Sequence, residues 1–184
     1  MIRSIKKRFF RSAQDESGAA TVEFILILPV YLSMMMFSIE LGFVTMRHVL
    51  LERGLDIAVR DLRLGTGTFS GDSEEVHNLI KDAVCDNAIL LADCDTQLRL
   101  EMQSANLFSY ATLDQEVECT DVSQPATAVT DYNFNTGLSN ELMLLRACYR
   151  FNALFPNELL GNLVIDATGQ GAIVSTTAFV GEPG

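Results

Sequence analysis

Between Glu23 and Glu40 lie sixteen residues, Phe24 to Ile39, without a single charge. Widening the window to Ala19–Met46 gives twenty-eight residues whose only charged side chains are those two glutamates. A bilayer core takes about 20 apolar residues as a helix, so the run predicts a membrane-spanning helix with Glu23 and Glu40 near its two faces. A carboxylate at the edge of hydrocarbon is costly, and its presence at Glu23 asks for a partner or a function.

Charge is distributed as unevenly as hydropathy. Arg3, Lys6, Lys7, Arg8 and Arg11 precede Gly18 and the apolar run, against Asp15 and Glu16 in the same stretch. The positive-inside rule then puts the N-terminus in the cytoplasm and everything after about Arg47 outside it. From Ala19 onward eight basic side chains face twenty-two acidic ones, a net of −14, and Lys81 is the only lysine left. So acidic a body is a poor ligand for phosphate backbones, which argues against nucleic acid as a partner. A cleaved secretory signal fits less well: its apolar core runs about 7–15 residues to a small-x-small site, and Met34-Met35-Met36-Phe37-Ser38 offers none. A plain uncleaved anchor would not need Glu23.

Helical periodicity continues past the membrane length. Leu51, Leu55, Ala58, Val59 and Leu62 recur at three- and four-residue steps, with Arg47, Glu52, Arg53, Asp56, Arg60 and Arg63 on the other faces, until Gly65-Thr66-Gly67. One helix from Ala19 to Leu64 would span about 69 Å, more than twice a bilayer core, so its outer half is expected to lie on the chain's own globular part. Pro29 and Gly42 are the expected points of bending. A second helix is expected to open at Asp72, with Glu75 as its capping-box partner, and to end near Leu91. Its buried stripe would be Val76, Leu79, Ile80, Ala83 and Val84, with His77 on the polar face.

The period then changes to two. Leu98, Leu100 and Met102 alternate with polar neighbours, and Glu116-Val117-Glu118-Cys119 does likewise. Residues 141–151 begin apolar on both faces and suit a central strand covered by the helix. Gly171 to Val180, rich in β-branched residues, reads as the last strand, residues 121–140 read as a loop, and Phe155-Pro156-Asn157 breaks the chain before a short segment at Glu158–Leu163. The expected fold class is therefore α+β: a long N-terminal helix on a small antiparallel sheet of about four strands, with a second short helix. Its parts would be a basic leader (1–18), a transmembrane helix (19–46) and an exported head (47–184).

Nothing in that head is arranged for catalysis, so it is not read as an enzyme, and no cofactor or metal is expected. His48 and His77 lack metal-ligand spacing; His48 falls where the helix would leave the membrane, an interfacial place. Gly65-Thr66-Gly67-Thr68 follows a helix and lacks the lysine of a phosphate loop. The acidic stretches Asp72–Glu75 and Asp93–Asp95 lack EF-hand spacing and read as solvated surface. Cys85, Cys94, Cys119 and Cys148 contain no C-x-x-C and, in an exported domain, suggest two disulfides with three possible pairings. Cys85–Cys94, closing a short loop, and Cys119–Cys148, joining two strands, are the favoured pair.

The segment Gly18-Ala19-Ala20-Thr21-Val22-Glu23-Phe24 resembles the processing site of type IV pilin-like proteins, and its Glu-Phe is similar to the Flp (Tad, tight adherence) branch. Leu144 to Pro156 and the closing Ser175 to Pro183 resemble the strands of TadE-like pseudopilins, and Cys85 with Cys94 after an acidic helix also fits them. The resemblance implies a minor pilin with a pilin-like fold, cut by a prepilin peptidase between Gly18 and Ala19 and assembled through Glu23 and Phe24. It implies other major and minor pilins, an inner-membrane assembly platform and membrane lipid as partners in a hetero-oligomer, and residence in the bacterial inner membrane, head periplasmic, or in the extracellular pilus. The competing expectation is an anchored extracytoplasmic binding or adhesion protein that never enters a filament.

Overall fold

The computed structural model describes residues 19–64, 72–105, 117, 119, 134–137, 140–155, 165 and 169–181. Helix α1 is Ala19–Arg63, α2 is Ser73–Asn87 and the single turn α3 is Cys94–Gln97; the strands are β1 Leu98–Ser104, β2 Leu142–Phe151 and β3 Gly171–Val180. The chain divides into two compact units, Met1–Glu40 and Leu41–Gly184.

The second unit is α+β, with an antiparallel sheet in the order β1-β2-β3. Of the expected strand at 116–119 only Val117 and Cys119 are described, and neither lies in a strand, so the described sheet has three strands instead of about four. Alternation sets its faces. Leu98, Leu100 and Met102 oppose Tyr149, Ala147 and Leu145, and Ile173 opposes Tyr149 from the other side. These residues form one buried core with Leu51, Leu55, Ala58 and Val59 of α1 and Val76, Ile80 and Val84 of α2. The three- and four-residue stripe beyond Arg47 thus packs the outer part of α1 on the sheet, at roughly 1.5–3 kcal/mol per fully buried aliphatic side chain.

On the opposite sheet face the cross-strand pair Glu101 and Arg146 is largely buried, with Arg146 Nη1 3.4 Å from Glu101 Oε2. Beside it Cys148 is bonded to Cys119, and Cys85 is bonded to Cys94, with Cα–Cα distances of 5.4 and 5.7 Å. Cys119 is not part of a strand, so its bridge ties β2 to irregular chain.

α2 begins where its capping signal places it: the Glu75 amide donates to Asp72 Oδ1 at 2.9 Å. It stops at Asn87 and not near Leu91, because Ala88 leaves helical geometry and its amide turns back to the Cys85 carbonyl. His77 departs from expectation more sharply. It is 3% exposed, edge-on to the Phe134 ring at a centroid distance of 5.0 Å, not on the polar face. Gly54 explains how closely the two helices pass: a Cβ there would stand 2.7 Å from the Val84 carbonyl oxygen. The remaining segments, including 121–133 and 158–163, lie outside the described residues.

Candidate functional site

Among the described residues no three His, Cys, Asp or Glu side chains converge where a metal could sit. Burial lowers the His77 pKa below its usual value, against a smaller upward pull from its hydrogen bond to Asn78. Burial likewise lowers that of Lys81, opposed by Asp95 and Asp82, and raises that of Tyr149, whose hydroxyl donates to the Ala92 carbonyl at 2.7 Å. Each of these groups is explained by packing in the head. His48 belongs there too: its Nε2 lies 3.2 Å from the Val174 carbonyl of β3, and its Nδ1 3.7 Å from Glu52.

The candidate site is instead the N-terminal part of α1. Ala19 opens the helix, and Glu23 follows one turn later on the same side. Gly18 lies outside the described residues. Glu23 is exposed and Phe24 is 63% exposed. Beyond them Ile25, Leu26, Ile27, Val30, Tyr31, Met34, Met35 and Phe37 are all exposed as well, which covers every side of the helix. A helix apolar all round belongs in lipid or among other helices, since water on every face would cost far more than folding returns. By length and composition α1 can cross a membrane.

Three of its hydroxyl side chains are folded back. Ser33 donates to the Pro29 carbonyl at 2.9 Å, Ser38 to Met34 at 2.9 Å and Thr45 to Leu41 at 2.9 Å, so these three hydroxyls spend their donors on the helix's own backbone. The helix continues through Pro29 and Gly42 in the backbone pattern despite the missing proline amide. Glu40, at the other end of the uncharged run, is 2% exposed. The two glutamates that look equivalent in sequence therefore differ: Glu23 is presented and Glu40 is enclosed.

Within the second unit, two residues escape a reading by residue type. Gly54 stands in the buried stripe with Leu51, Leu55 and Ala58, and spacing alone could have marked it as a helix-crossing point. Arg47, the first cation after the apolar run, holds its guanidinium over the Phe151 ring at 4.8 Å, close enough for a cation–π contact.

Residues 18–60 match the family model of TadE-like proteins. The match begins at Gly18, takes in all of the apolar run, and ends inside the stripe that packs α1 on the head. Over that segment the chain is similar to TadE-like proteins. No curated protein and no solved structure matches the chain.

Proposed function

We propose that the chain is a minor pilin of a Tad-type pilus, cut by a prepilin peptidase between Gly18 and Ala19 and assembled through the apolar part of α1. The observation that carries the proposal is the pairing of an all-round apolar helix with one exposed carboxylate, Glu23, a single turn from the helix start. Cleavage creates an α-amino group on Ala19 and removes the five cations of the leader. Four residues separate that amine from Glu23, a rise of about 6 Å. An amine of one subunit meeting the carboxylate of the next would thus set their axial offset at about that rise. Ion pairs in low dielectric contribute little net stability but discriminate between registers. The apolar side chains from Phe24 to Phe43 then pack helix against helix in a fibre or an initiation complex.

The test is the mass of the chain made with and without a matching prepilin peptidase. A product beginning at Ala19 is expected only with the peptidase, and an unprocessed chain in its presence overturns the proposal. Glu23→Ala is expected to be processed, to keep a folded head and to be missing from sheared pili. Normal incorporation of that variant would refute the register mechanism while leaving the cleavage intact.

A further inference from the structure

β3 lies at the edge of the sheet, and part of its outer edge is open. Just past the end of the β2–β3 ladder the Gly181 amide donates to the Glu141 carbonyl. Alternation along an antiparallel ladder then turns the backbone groups of Ser175, Thr177 and Phe179 towards β2. Those of Val174, Thr176, Ala178 and Val180 point away from the sheet. His48 agrees with that parity, since its Nε2 reaches the Val174 carbonyl. Beyond Val174, no described residue hydrogen-bonds to the outward amides and carbonyls of Thr176, Ala178 and Val180, and all three residues are exposed.

Other stretches of edge are occupied. Met102 of β1 accepts from the Asn135 amide, and Gly171 at the start of β3 bridges Ile165. Natural sheets blunt an open edge with charge, proline, a bulge or a very short strand. β3 uses none of these. Its sequence, Gly-Ala-Ile-Val-Ser-Thr-Thr-Ala-Phe-Val, carries neither charge nor proline. Its pairing with β2 runs without a break from Phe151–Gly171 to Leu142–Val180.

We infer that the edge from Thr176 to Val180 is a strand-addition site for an extended segment of a different polypeptide. The outward amides and carbonyls supply the affinity as a new ladder, and the side chains beside them set the preference. On the exposed face the cross-strand neighbours are Thr176, Ala178 and Val180, which pack best against uncharged, β-branched partners. Charge decides against a second copy. From Ala19 onward each chain carries a net of −14, so two heads repel, whereas an uncharged strand with basic flanks is attracted. Neither the leader cleavage nor the membrane span enters this inference.

Amide hydrogen exchange of the full-length chain in detergent micelles, resolved by NMR, reads the edge residue by residue. In the free chain the amides of Thr176, Ala178 and Val180 are expected to exchange fast, and those of Thr177 and Phe179, bonded to β2, slowly. The probe is the capped peptide Lys-Thr-Val-Thr-Val-Thr-Lys. With free peptide at about ten times its Kd, the three outward amides should slow about tenfold, and Thr177 and Phe179 should not change. Proline at two adjacent central positions of the peptide removes an amide whichever face meets β3, and should abolish the protection. Equal protection by the proline peptide would assign the binding to its lysines and refute strand addition. Ala178→Pro removes an outward amide, spares the ladder to β2, and should also abolish the protection; if that variant does not fold, the proline peptide makes the same test from the partner's side. Outward amides already slow in dilute, peptide-free protein mean that the chain covers its own edge, which overturns the inference. Protection that instead grows with protein concentration assigns the edge to a second copy and overturns the choice of a different chain. Fast exchange that the peptide leaves unchanged up to its solubility limit removes the site altogether.

Discussion

Replacing Gly54 by alanine sets two known effects against each other in one place. An exposed helical glycine costs about 1 kcal/mol relative to alanine, so on propensity alone Gly54→Ala would stabilise α1. The new Cβ would, however, stand 2.7 Å from the Val84 carbonyl oxygen and 3.3 Å from Val84 Cγ1. An ordinary carbon–oxygen contact begins at about 3.3 Å, so the two helices must part by about 0.6 Å. The obstructing atom is backbone in the last turn of α2, which cannot rotate away as a side chain could. Overpacking of this kind costs about 1–3 kcal/mol, and the propensity gain offsets only part of it. The expected net loss is about 1–2 kcal/mol, read as a fall of about 3–6 °C in the thermal midpoint of a domain this size. The assay is thermal unfolding of the full-length chain in detergent, followed by circular dichroism. Gly42→Ala is the control, since no heavy atom lies within 4 Å of its Cβ position, and it should lose nothing. A Gly54→Ala protein as stable as the parent would refute the close crossing.

Three further outcomes follow from the head. Burial holds His77 below its usual pKa, so folding favours the neutral ring; stability is full above the unfolded value of about 6.5 and declines as the pH falls through that value towards the folded one. Urea midpoints at pH 7.5 and pH 5 should differ less in His77→Phe than in the parent, and an unchanged difference would dismiss the histidine. Glu101→Ala removes one partner of a largely buried pair with Arg146 and should destabilise by about 2–4 kcal/mol, whereas Glu101→Met with Arg146→Leu together should be near neutral; a double mutant cycle of denaturant midpoints decides. Cys119→Ala with Cys148→Ala opens a bridge of sequence separation 29 and should cost about 3–4 kcal/mol, measured against the parent under non-reducing denaturation.

How legible the fold was depended on whether a residue's burial follows from its own segment. The stripe of α1 beyond Arg47, the capping box at Asp72 and the alternation of Leu98, Leu100 and Met102 are local patterns, and the elements fall where those patterns end. β3 at Gly171–Val180 could be read from its β-branched run alone. The end of α2 could not, because Leu91 continues the apolar pattern while a disulfide and a turned-back amide take the chain elsewhere. His77 shows a different failure. Its distances to Ile80 and Val84, three and seven residues, place it on the buried face, but its polarity suggested the other one. Phe134, the residue that accepts its edge, comes from a distant stretch that carries no periodic signal. Glu101 and Arg146 are separated by forty-five residues, so only strand register could reveal that they are opposite one another. At the candidate site the exposed Glu23 and the apolar run were both plain in the sequence. The enclosure of Glu40 was not, since composition treats the two acids alike.

One backbone helix meets two environments in α1, and the change is written in where its charges begin. Up to Ile39 the sides are apolar in every direction. From Arg47 onward, Glu52, Arg53, Asp56, Arg60 and Arg63 take the solvent faces and leave a stripe for the sheet. No cation stands between Ala19 and Met46. On the proposed reading, the five cations that hold the N-terminus on the cytoplasmic side all belong to the leader, and one cleavage removes them together. What then opposes withdrawal from lipid is apolar surface, which neighbouring helices can cover equally well, and Glu23, which neighbouring amines can pair. Orientation and release are thus assigned to different residues: the leader sets the first, and the uncharged helix with its single presented acid permits the second. A cation retained within the apolar run would defeat that division, because it would keep the helix oriented after cleavage.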